Sequence, residues 1–203
     1  MVLTAGLAWF AIVMQFCISI PAFLRMGRTL AGSIVELFSF FTILSNLLLA
    51  VSLTAVLLKP ASLLGKFFLQ LSVSSAIAVY ITIVGLVYNL VLRQVWDPHG
   101  LFKLTDELLH LVVPVLYLIY WLIYVSKAGL KWGQLFNWLL FPLIYLIYII
   151  IRGAISGYYP YPFINVVKIG YIQVALNFFI ISLTFIFFSV LFILAGRLFP
   201  KKS

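Results

Sequence analysis

Of the two histidines in this chain, His110 lies inside a long apolar run, and its imidazole side chain can transfer protons. An imidazole group has an unperturbed pKa of about 6.5, so it can accept a proton near neutral pH. Asp106 and Glu107 precede it by four and three residues, a spacing at which a carboxylate on the same helix can reach the ring and fix its tautomer. His110 is therefore a candidate general base. The alternative is a histidine that only hydrogen-bonds a neighbouring helix or interfacial water.

A hydroxyl group that such a base could activate occurs at Thr42, within the sequence Phe-Phe-Thr-Ile-Leu-Ser-Asn. Ser39, Thr42 and Asn46 lie on one face of a helix by their spacing. Because polar side chains in hydrocarbon cost free energy unless they find partners, this face should point into the protein. The alternative is that the hydroxyl only bonds a carbonyl of its own helix or of a neighbouring helix.

The two groups are predicted to meet at one depth in a membrane. The helices that carry them begin on the same side, and an α-helix rises about 1.5 Å per residue. Thr42 then lies about 9 Å beyond Glu36, and His110 lies about 6 Å beyond Asp106. We therefore expect a hydroxyl and an imidazole at the same level between the helices.

Other polar side chains are predicted at a comparable depth. Gln173 and Asn177 share a face of the predicted sixth span, residues 171–195, by their spacing of four residues, and Arg152 ends the predicted fifth span, residues 135–151, on the same side. A hydroxyl, an imidazole, carboxamides and a guanidinium together are the groups that an acyl-transfer site requires. Asn46, Gln173 and Asn177 are candidate donors to an oxyanion, and Arg152 is a candidate partner for the carboxylate of a lipid.

A metal site is the other chemistry that these residue types could support. Asp106 and His110 have a spacing compatible with metal ligands, and Asp97, His99 and Glu107 are near in sequence. However, the chain has no HExxH motif, no cluster of cysteine and histidine, and no glycine fingerprint for phosphate. We therefore expect neither a metal nor another cofactor.

Composition places these residues in a membrane. Of the 203 residues, 66% are hydrophobic and 8% are charged, and the mean hydropathy is +1.24. A soluble domain carries about 25% charged residues, so a soluble globule and a disordered chain are both excluded. The net charge of +9 comes from Lys and Arg residues that stand singly or in pairs between apolar runs, which indicates anchors at the membrane interface rather than nucleic-acid binding. The clearest predicted anchors are Lys59, Lys66, Lys127, Lys131, Arg197, Lys201 and Lys202.

Six apolar runs are long enough, or nearly so, to cross a bilayer as helices, which takes about 20 residues. Their continuous apolar character favours helices over the shorter, alternating strands of a barrel. The sequence thus predicts an all-α polytopic membrane protein, a bundle of six transmembrane helices in a single domain over residues 1–203. The predicted spans are residues 2–24, 37–58, 67–92, 108–125, 135–151 and 171–195.

The first apolar run and the number of spans indicate whether a signal peptide is present and on which side the termini lie. The first run is too long for the core of a signal peptide, so we expect it to be retained as a helix. Six spans put both termini on one side of the membrane. Seven of the 13 Lys and Arg residues lie on that side, which favours the cytoplasm for both termini.

Short motifs that carry a family resemblance are spread over most of the chain. They are Phe40-Phe41-Thr42, Tyr88-Asn89, Trp96-Asp97-Pro98, His110-Leu111-Val112-Val113-Pro114, Arg152-Gly153-Ala154 and Tyr159-Pro160-Tyr161-Pro162-Phe163. Together they resemble the androgen-induced-protein family of six-helix membrane hydrolases, which cleave fatty acid esters of hydroxy fatty acids. The resemblance is greater to bacterial relatives of that family.

The resemblance implies a catalytic pair. In that family a threonine in the second conserved span and a histidine at the start of a later span are the proposed catalytic residues, and by motif these match Thr42 and His110. The animal members have another histidine shortly before the catalytic one, where this chain has Asp-Glu-Leu-Leu at residues 106–109.

The leading functional hypothesis is a lipid ester hydrolase embedded in the membrane, with Thr42 as nucleophile and His110 as base. The alternative is a non-enzymatic carrier or binder of lipids or small molecules that uses the same polar pocket. A third interpretation is a structural subunit whose polar side chains only hold helices together. The expected partner is a lipid substrate within the bilayer, with no nucleic acid, and the resemblance implies a bacterial inner membrane.

Overall fold

The computed structural model describes residues Met1–Leu198, and all the regular structure in this part of the chain is helical. Six of its helical segments are long and apolar enough to cross a membrane, which confirms the all-α class and the prediction of an integral membrane protein with six transmembrane helices. Two of the predicted anchors, Lys201 and Lys202, lie outside the described residues. The helices are α1 Val2–Arg25, α2 Leu30–Leu37, α3 Phe41–Leu58, α4 Leu63–Leu69, α5 Leu71–Leu90, α6 Leu101–Glu107, α7 Val113–Tyr124, α8 Gln134–Ser156 and α9 Val166–Leu198, with 3₁₀ turns at Leu92–Gln94 and Pro162–Ile164 and a π turn at Leu108–Val112.

The second span begins at Phe41 rather than near residue 37, because a separate short helix precedes it. Thr29 caps α2, since its Oγ1 accepts a hydrogen bond from Gly32 N at 3.0 Å. α2 ends at Leu37, and Phe40 has extended backbone angles, φ −85° and ψ 124°, before α3 starts. Thr42 therefore lies in the first turn of a helix.

The fourth span begins at Leu101 rather than near residue 108. Gly100 has a positive φ of 60°, a conformation that favours glycine, and α6 starts at the next residue. α6, the π turn and α7 then form one continuous span, Leu101–Tyr124. His110 is consequently well inside this span, with helix on both sides of it.

In the sixth span a short helical turn precedes the predicted start. α9 runs over Val166–Leu198, but Gly170 within it has φ 77° and ψ 162°, which is not helical. A kink therefore separates this first turn from the regular helix, which starts at the predicted residue 171.

The sequence predicts a single transmembrane domain. By its internal contacts, the chain divides into two compact units. The first unit, Met1–Lys127, contains α1 to α7, with four of the six membrane-spanning segments. The second unit begins at Ala128 and contains α8 and α9.

Small side chains and polar bonds join the helices of the first unit. Ala8 and Ala11 of α1 are fully buried, as expected where helix backbones approach closely in a membrane. α7 is fixed to α5 at two points: Tyr117 Oη donates to the Ser74 carbonyl at 3.2 Å, and Trp121 Nε1 donates to Ser75 Oγ at 3.0 Å. These two bonds lie about two and three helical turns beyond His110 along the same span.

The outer surface of that helix is apolar. Its buried side chains alternate with exposed ones at helical spacing, which suits hydrocarbon as the surrounding solvent. The exposed side chains are Leu111, Val115, Ile119, Leu122 and Ile123, whereas the buried ones are Val113, Pro114, Tyr117 and Trp121.

Lys127 differs from the interfacial anchor that the sequence predicts. It is 3% exposed, and its Nζ donates to the carbonyls of Leu122 at 2.7 Å and Val125 at 3.1 Å. The ammonium also lies 4.9 Å from the centre of the Trp121 ring. Lys127 thus caps the carboxyl end of α7, where the helix dipole favours a positive charge.

Candidate active site

Thr42 and His110 are in direct contact in the first unit. The Thr42 Oγ1 atom lies 3.2 Å from His110 Nε2, within hydrogen-bonding distance. The two residues are 8% and 9% exposed, so the contact is almost completely shielded. The structure thus brings together the hydroxyl and the imidazole that were predicted to lie at one depth.

The backbone around His110 departs from a regular α-helix. Val113 N donates to the carbonyl of Leu108, five residues earlier, which is the hydrogen bond of a π turn. Pro114 has no N–H and therefore donates neither to Leu109 nor to His110. The carbonyl of Leu109 consequently has no donor from its own helix at either the α or the π spacing.

Asn46 supplies that missing donor from α3. Its Nδ2 donates to the carbonyl of Leu109 at 3.2 Å and to the carbonyl of Thr42 at 2.9 Å. Both protons of the amide are therefore engaged with backbone oxygens. Asn46 was a candidate oxyanion donor, and in this structure it instead fixes the helix of Thr42 to the π turn of His110. Its Oδ1 is buried and has no hydrogen-bond partner within the described part of the chain.

α5 supports the same turn from another side. Gly85 packs so closely that a Cβ placed on it would lie 3.1 Å from the carbonyl oxygen of His110. Asn89, one turn later, donates from Nδ2 to the carbonyl of Gly85 at 2.7 Å and more distantly to that of His110 at 3.4 Å. The absence of a side chain at Gly85 thus allows α5 to approach the histidine backbone.

The other ring nitrogen of His110 faces Asp106. Nδ1 lies 2.9 Å from the Asp106 carbonyl oxygen and 3.2 Å from its Oδ1. A carbonyl oxygen can only accept, so Nδ1 carries the proton in this arrangement and Nε2 presents a lone pair to Thr42. This is the tautomer that a general base needs.

The second predicted orienting carboxylate has a different partner. Glu107 forms an ion pair and a hydrogen bond with Arg93, which follows α5. Of the two acidic residues, Asp106 contacts the imidazole and Glu107 pairs with the arginine.

Tyr88 belongs to this cluster, although sequence spacing does not single it out. Its ring stacks on the ring of His110, with a distance of 3.9 Å between centroids and an interplanar angle of 16°. Its hydroxyl donates to Asp106 Oδ2, the carboxylate oxygen that does not face His110. In the sequence, Tyr88 stands out only as part of the Tyr88-Asn89 motif, and that motif by itself does not indicate a function.

The three remaining candidates lie in the second unit, where each has a local partner. Arg152 Nη1 donates to the carbonyl of Tyr158 at 3.4 Å, and its guanidinium carbon lies 4.8 Å from the centre of that residue's ring. Gln173 Nε2 donates to Asn177 Oδ1 at 3.0 Å, and Asn177 Nδ2 donates to the carbonyl of Phe163 at 2.8 Å. Asn177 therefore ties α9 to the aromatic segment that precedes it.

The cluster of Thr42, Tyr88, Asp106 and His110 in the first unit combines a base with a hydroxyl group. Among residues 1–198, no group of three or more His, Cys, Asp and Glu side chains could hold a metal ion. The Thr42 hydroxyl has an imidazole as its hydrogen-bond partner, and the other nitrogen of that imidazole bonds the backbone carbonyl of Asp106 and lies beside its carboxylate. These are the elements of an activated nucleophile.

Comparison with known proteins finds no family model, no curated protein and no solved structure that matches this chain.

Proposed function

We propose that this protein is a lipid ester hydrolase of the membrane, with Thr42 as nucleophile and His110 as general base. The observation that carries the proposal is the 3.2 Å contact between Thr42 Oγ1 and His110 Nε2. Both residues lie within helices long and apolar enough to span a membrane, where an ester substrate dissolved in the bilayer would meet them. The resemblance to the androgen-induced-protein family favours fatty acid esters of hydroxy fatty acids as the substrate class.

The reaction would proceed in two halves. His110 Nε2 takes the proton of Thr42 as Oγ1 attacks the ester carbonyl carbon, and the protonated imidazole then gives that proton to the departing alcohol oxygen. An acyl-threonine remains. Water, deprotonated by the same nitrogen, attacks the acyl carbon and releases the free acid, and Thr42 regains its proton.

The oxyanion that forms on the carbonyl oxygen needs donors, and the start of α3 offers one. α3 begins at Phe41, so the backbone N–H of Thr42 is among the first four of the helix, which have no intrahelical acceptor. The positive end of the helix dipole also favours a developing negative charge there. We assign this N–H as an oxyanion donor, since the Asn46 amide is already engaged. Gln173 and Asn177 as donors, and Arg152 as a carboxylate partner, stay predictions.

The cellular location is part of the proposal. The resemblance to bacterial relatives favours the bacterial inner membrane, and the small excess of Lys and Arg on the side of the membrane that holds the termini favours placement of the termini in the cytoplasm. The substrate would then enter from the bilayer itself.

The direct test is ester turnover by purified protein in lipid nanodiscs. The substrate is a fatty acid ester of a hydroxy fatty acid, and the two released acids are quantified by mass spectrometry. Thr42→Val keeps the shape of the side chain and removes the hydroxyl, and His110→Gln keeps a polar group and removes the base. Each should lower kcat at least about a thousandfold, because the nucleophile and its base act as a unit.

Two matched variants control for the substitutions themselves. Thr82→Val removes a hydroxyl that donates to the carbonyl of Ala78 in its own helix, and His99→Gln changes an exposed histidine. Both should hydrolyse the ester at the native rate. Unchanged turnover in Thr42→Val would overturn the proposal. So would native protein that binds the lipid and releases it intact, which is the behaviour expected of a carrier.

A further inference from the structure

We infer that Tyr88 is a positioning residue, which holds Asp106 and the ring of His110 so that Nε2 presents its lone pair to Thr42. This inference rests on the proposed function for its kinetic consequence, but the structural part can be tested without substrate. Tyr88 is 4% exposed and contacts two members of the cluster with different parts of its side chain.

The phenol ring provides the first contact. It covers one face of the imidazole at a centroid distance of 3.9 Å and is nearly parallel to it, with an angle of 16° between the planes. A stacked aromatic neighbour restricts the tilt of the histidine ring. It therefore limits how far Nε2 can turn from Thr42.

The hydroxyl provides the second contact, with the far oxygen of the carboxylate. Asp106 Oδ2 accepts from the Tyr88 hydroxyl, whereas Oδ1 lies 3.2 Å from His110 Nδ1. Each carboxylate oxygen thus faces one partner, and rotation of the carboxylate would break its hydrogen bond with Tyr88 and move Oδ1 away from the imidazole. In a site shielded from water, such a connected network is stronger than the same bonds in solvent.

The ion pairs around the site explain why Asp106, rather than Glu107, contacts the imidazole of His110. Glu107 is paired with Arg93, whose guanidinium carbon also lies 5.5 Å from the centre of the Tyr88 ring. The acidic group that remains for His110 is therefore the one that Tyr88 holds.

Loss of the hydroxyl should weaken the preference for the tautomer that is protonated on Nδ1. Without the bond to Oδ2, the Asp106 carboxylate can rotate away from the ring, so its negative charge no longer favours a proton on Nδ1, and the Asp106 backbone carbonyl remains as the acceptor. The competing tautomer carries its proton on Nε2 and cannot accept a proton from Thr42. Tyr88→Phe should therefore lower kcat about tenfold with KM unchanged, which is the low end of the loss seen when a group that orients a metal-bound histidine is removed. Tyr88→Leu, which also removes the stacked ring, should lower it further.

The experiment is nitrogen NMR of protein with ¹⁵N-labelled histidine in nanodiscs, at a pH where the imidazole is neutral. His99→Gln serves as the background, because His110 is then the remaining histidine of the chain. The spectrum should show protonated Nδ1 and unprotonated Nε2 in this background. When Tyr88→Phe is added to this background, a population protonated on Nε2 should appear. The helical content, measured by circular dichroism, should stay unchanged.

Tyr117→Phe is the matched control. It removes a buried tyrosine hydroxyl that donates to the Ser74 carbonyl at 3.2 Å, and it should leave both the spectrum and kcat as in the background. A native spectrum together with native kcat in Tyr88→Phe would overturn the inference, as would a fall in KM and kcat that leaves the tautomer unchanged. If neither the native protein nor any variant hydrolyses the ester, the proposed function fails. If Tyr88→Phe still changes the tautomer in that case, the positioning role is supported.

Discussion

The carbonyl of Leu109 offers a quantitative test of how the π turn is held. Asn46 on α3 donates to this oxygen at 3.2 Å, while Val113 N is engaged with Leu108 and Pro114 has no N–H. Asn46→Leu leaves the oxygen without a donor, which costs about 1–3 kcal/mol for a buried group. The same substitution removes the unpartnered Oδ1 of Asn46, and this gain offsets part of the cost.

A double-mutant cycle with Pro114→Ala separates the two effects. Alanine at this position supplies an N–H that can donate to Leu109 at the π spacing. The gain from removing Oδ1 is the same in both backgrounds and cancels in the comparison. Asn46→Leu should therefore cost about 1–2 kcal/mol less in the Pro114→Ala background than in the native protein.

The assay is unfolding of the four proteins in mixed micelles by titration with sodium dodecyl sulfate, followed by the helical signal in circular dichroism. Thr184→Val, on α9, is the control, because its hydroxyl donates to the Ile180 carbonyl of its own helix. It should combine additively with Pro114→Ala, within about 0.5 kcal/mol. If Asn46→Leu is also additive, or costs more in the Pro114→Ala background, Asn46 is not the donor that sustains the turn.

Two further predictions concern packing and helix capping. Gly153→Ala would drive a Cβ into the ring of Tyr159, so it should destabilise the protein by about 1–3 kcal/mol in thermal unfolding, whereas Gly6→Ala, with no atom within 4 Å of the new Cβ, should stay within about 0.5 kcal/mol of native; equal effects would contradict the close packing. Lys127→Met removes the buried ammonium from two carbonyls at the end of α7 and should cost about 1–3 kcal/mol, while the exposed Lys131→Met should cost much less; the reverse order would refute the cap.

The fold was predictable because the bilayer fixes the length and polarity of its spans. Each of the six apolar runs corresponds to a helix, since a backbone in hydrocarbon must satisfy its hydrogen bonds internally. The first and last residues of these helices were less predictable. Local features such as the positive φ of Gly100 decide them, and a hydrophobic run does not encode these features.

The contact between Thr42 and His110 could be predicted because helical rise is constant and both helices start on one side. The residues that hold the pair could not be predicted in the same way. The π turn depends on a donor from another helix, and the stacking of Tyr88 depends on the rotation of α5 about its axis. Neither is a property of spacing within one helix. The catalytic roles of the pair stay a prediction.

The role of Lys127 also could not be predicted from its position in the sequence. A lysine after an apolar run is typical of a snorkelling anchor. Here the side chain turns back instead, because the carboxyl end of α7 presents carbonyls at 2.7 and 3.1 Å and the Trp121 ring lies beside them. Only the path of the chain after the helix distinguishes the two outcomes.

The most direct test of the central claim is the site of covalent modification by a fluorophosphonate probe in native protein, mapped by peptide mass spectrometry. The account predicts one adduct, on the Oγ1 of Thr42, that disappears in Thr42→Val and forms much more slowly in His110→Gln. An adduct on another residue, or undiminished labelling in Thr42→Val, would contradict it.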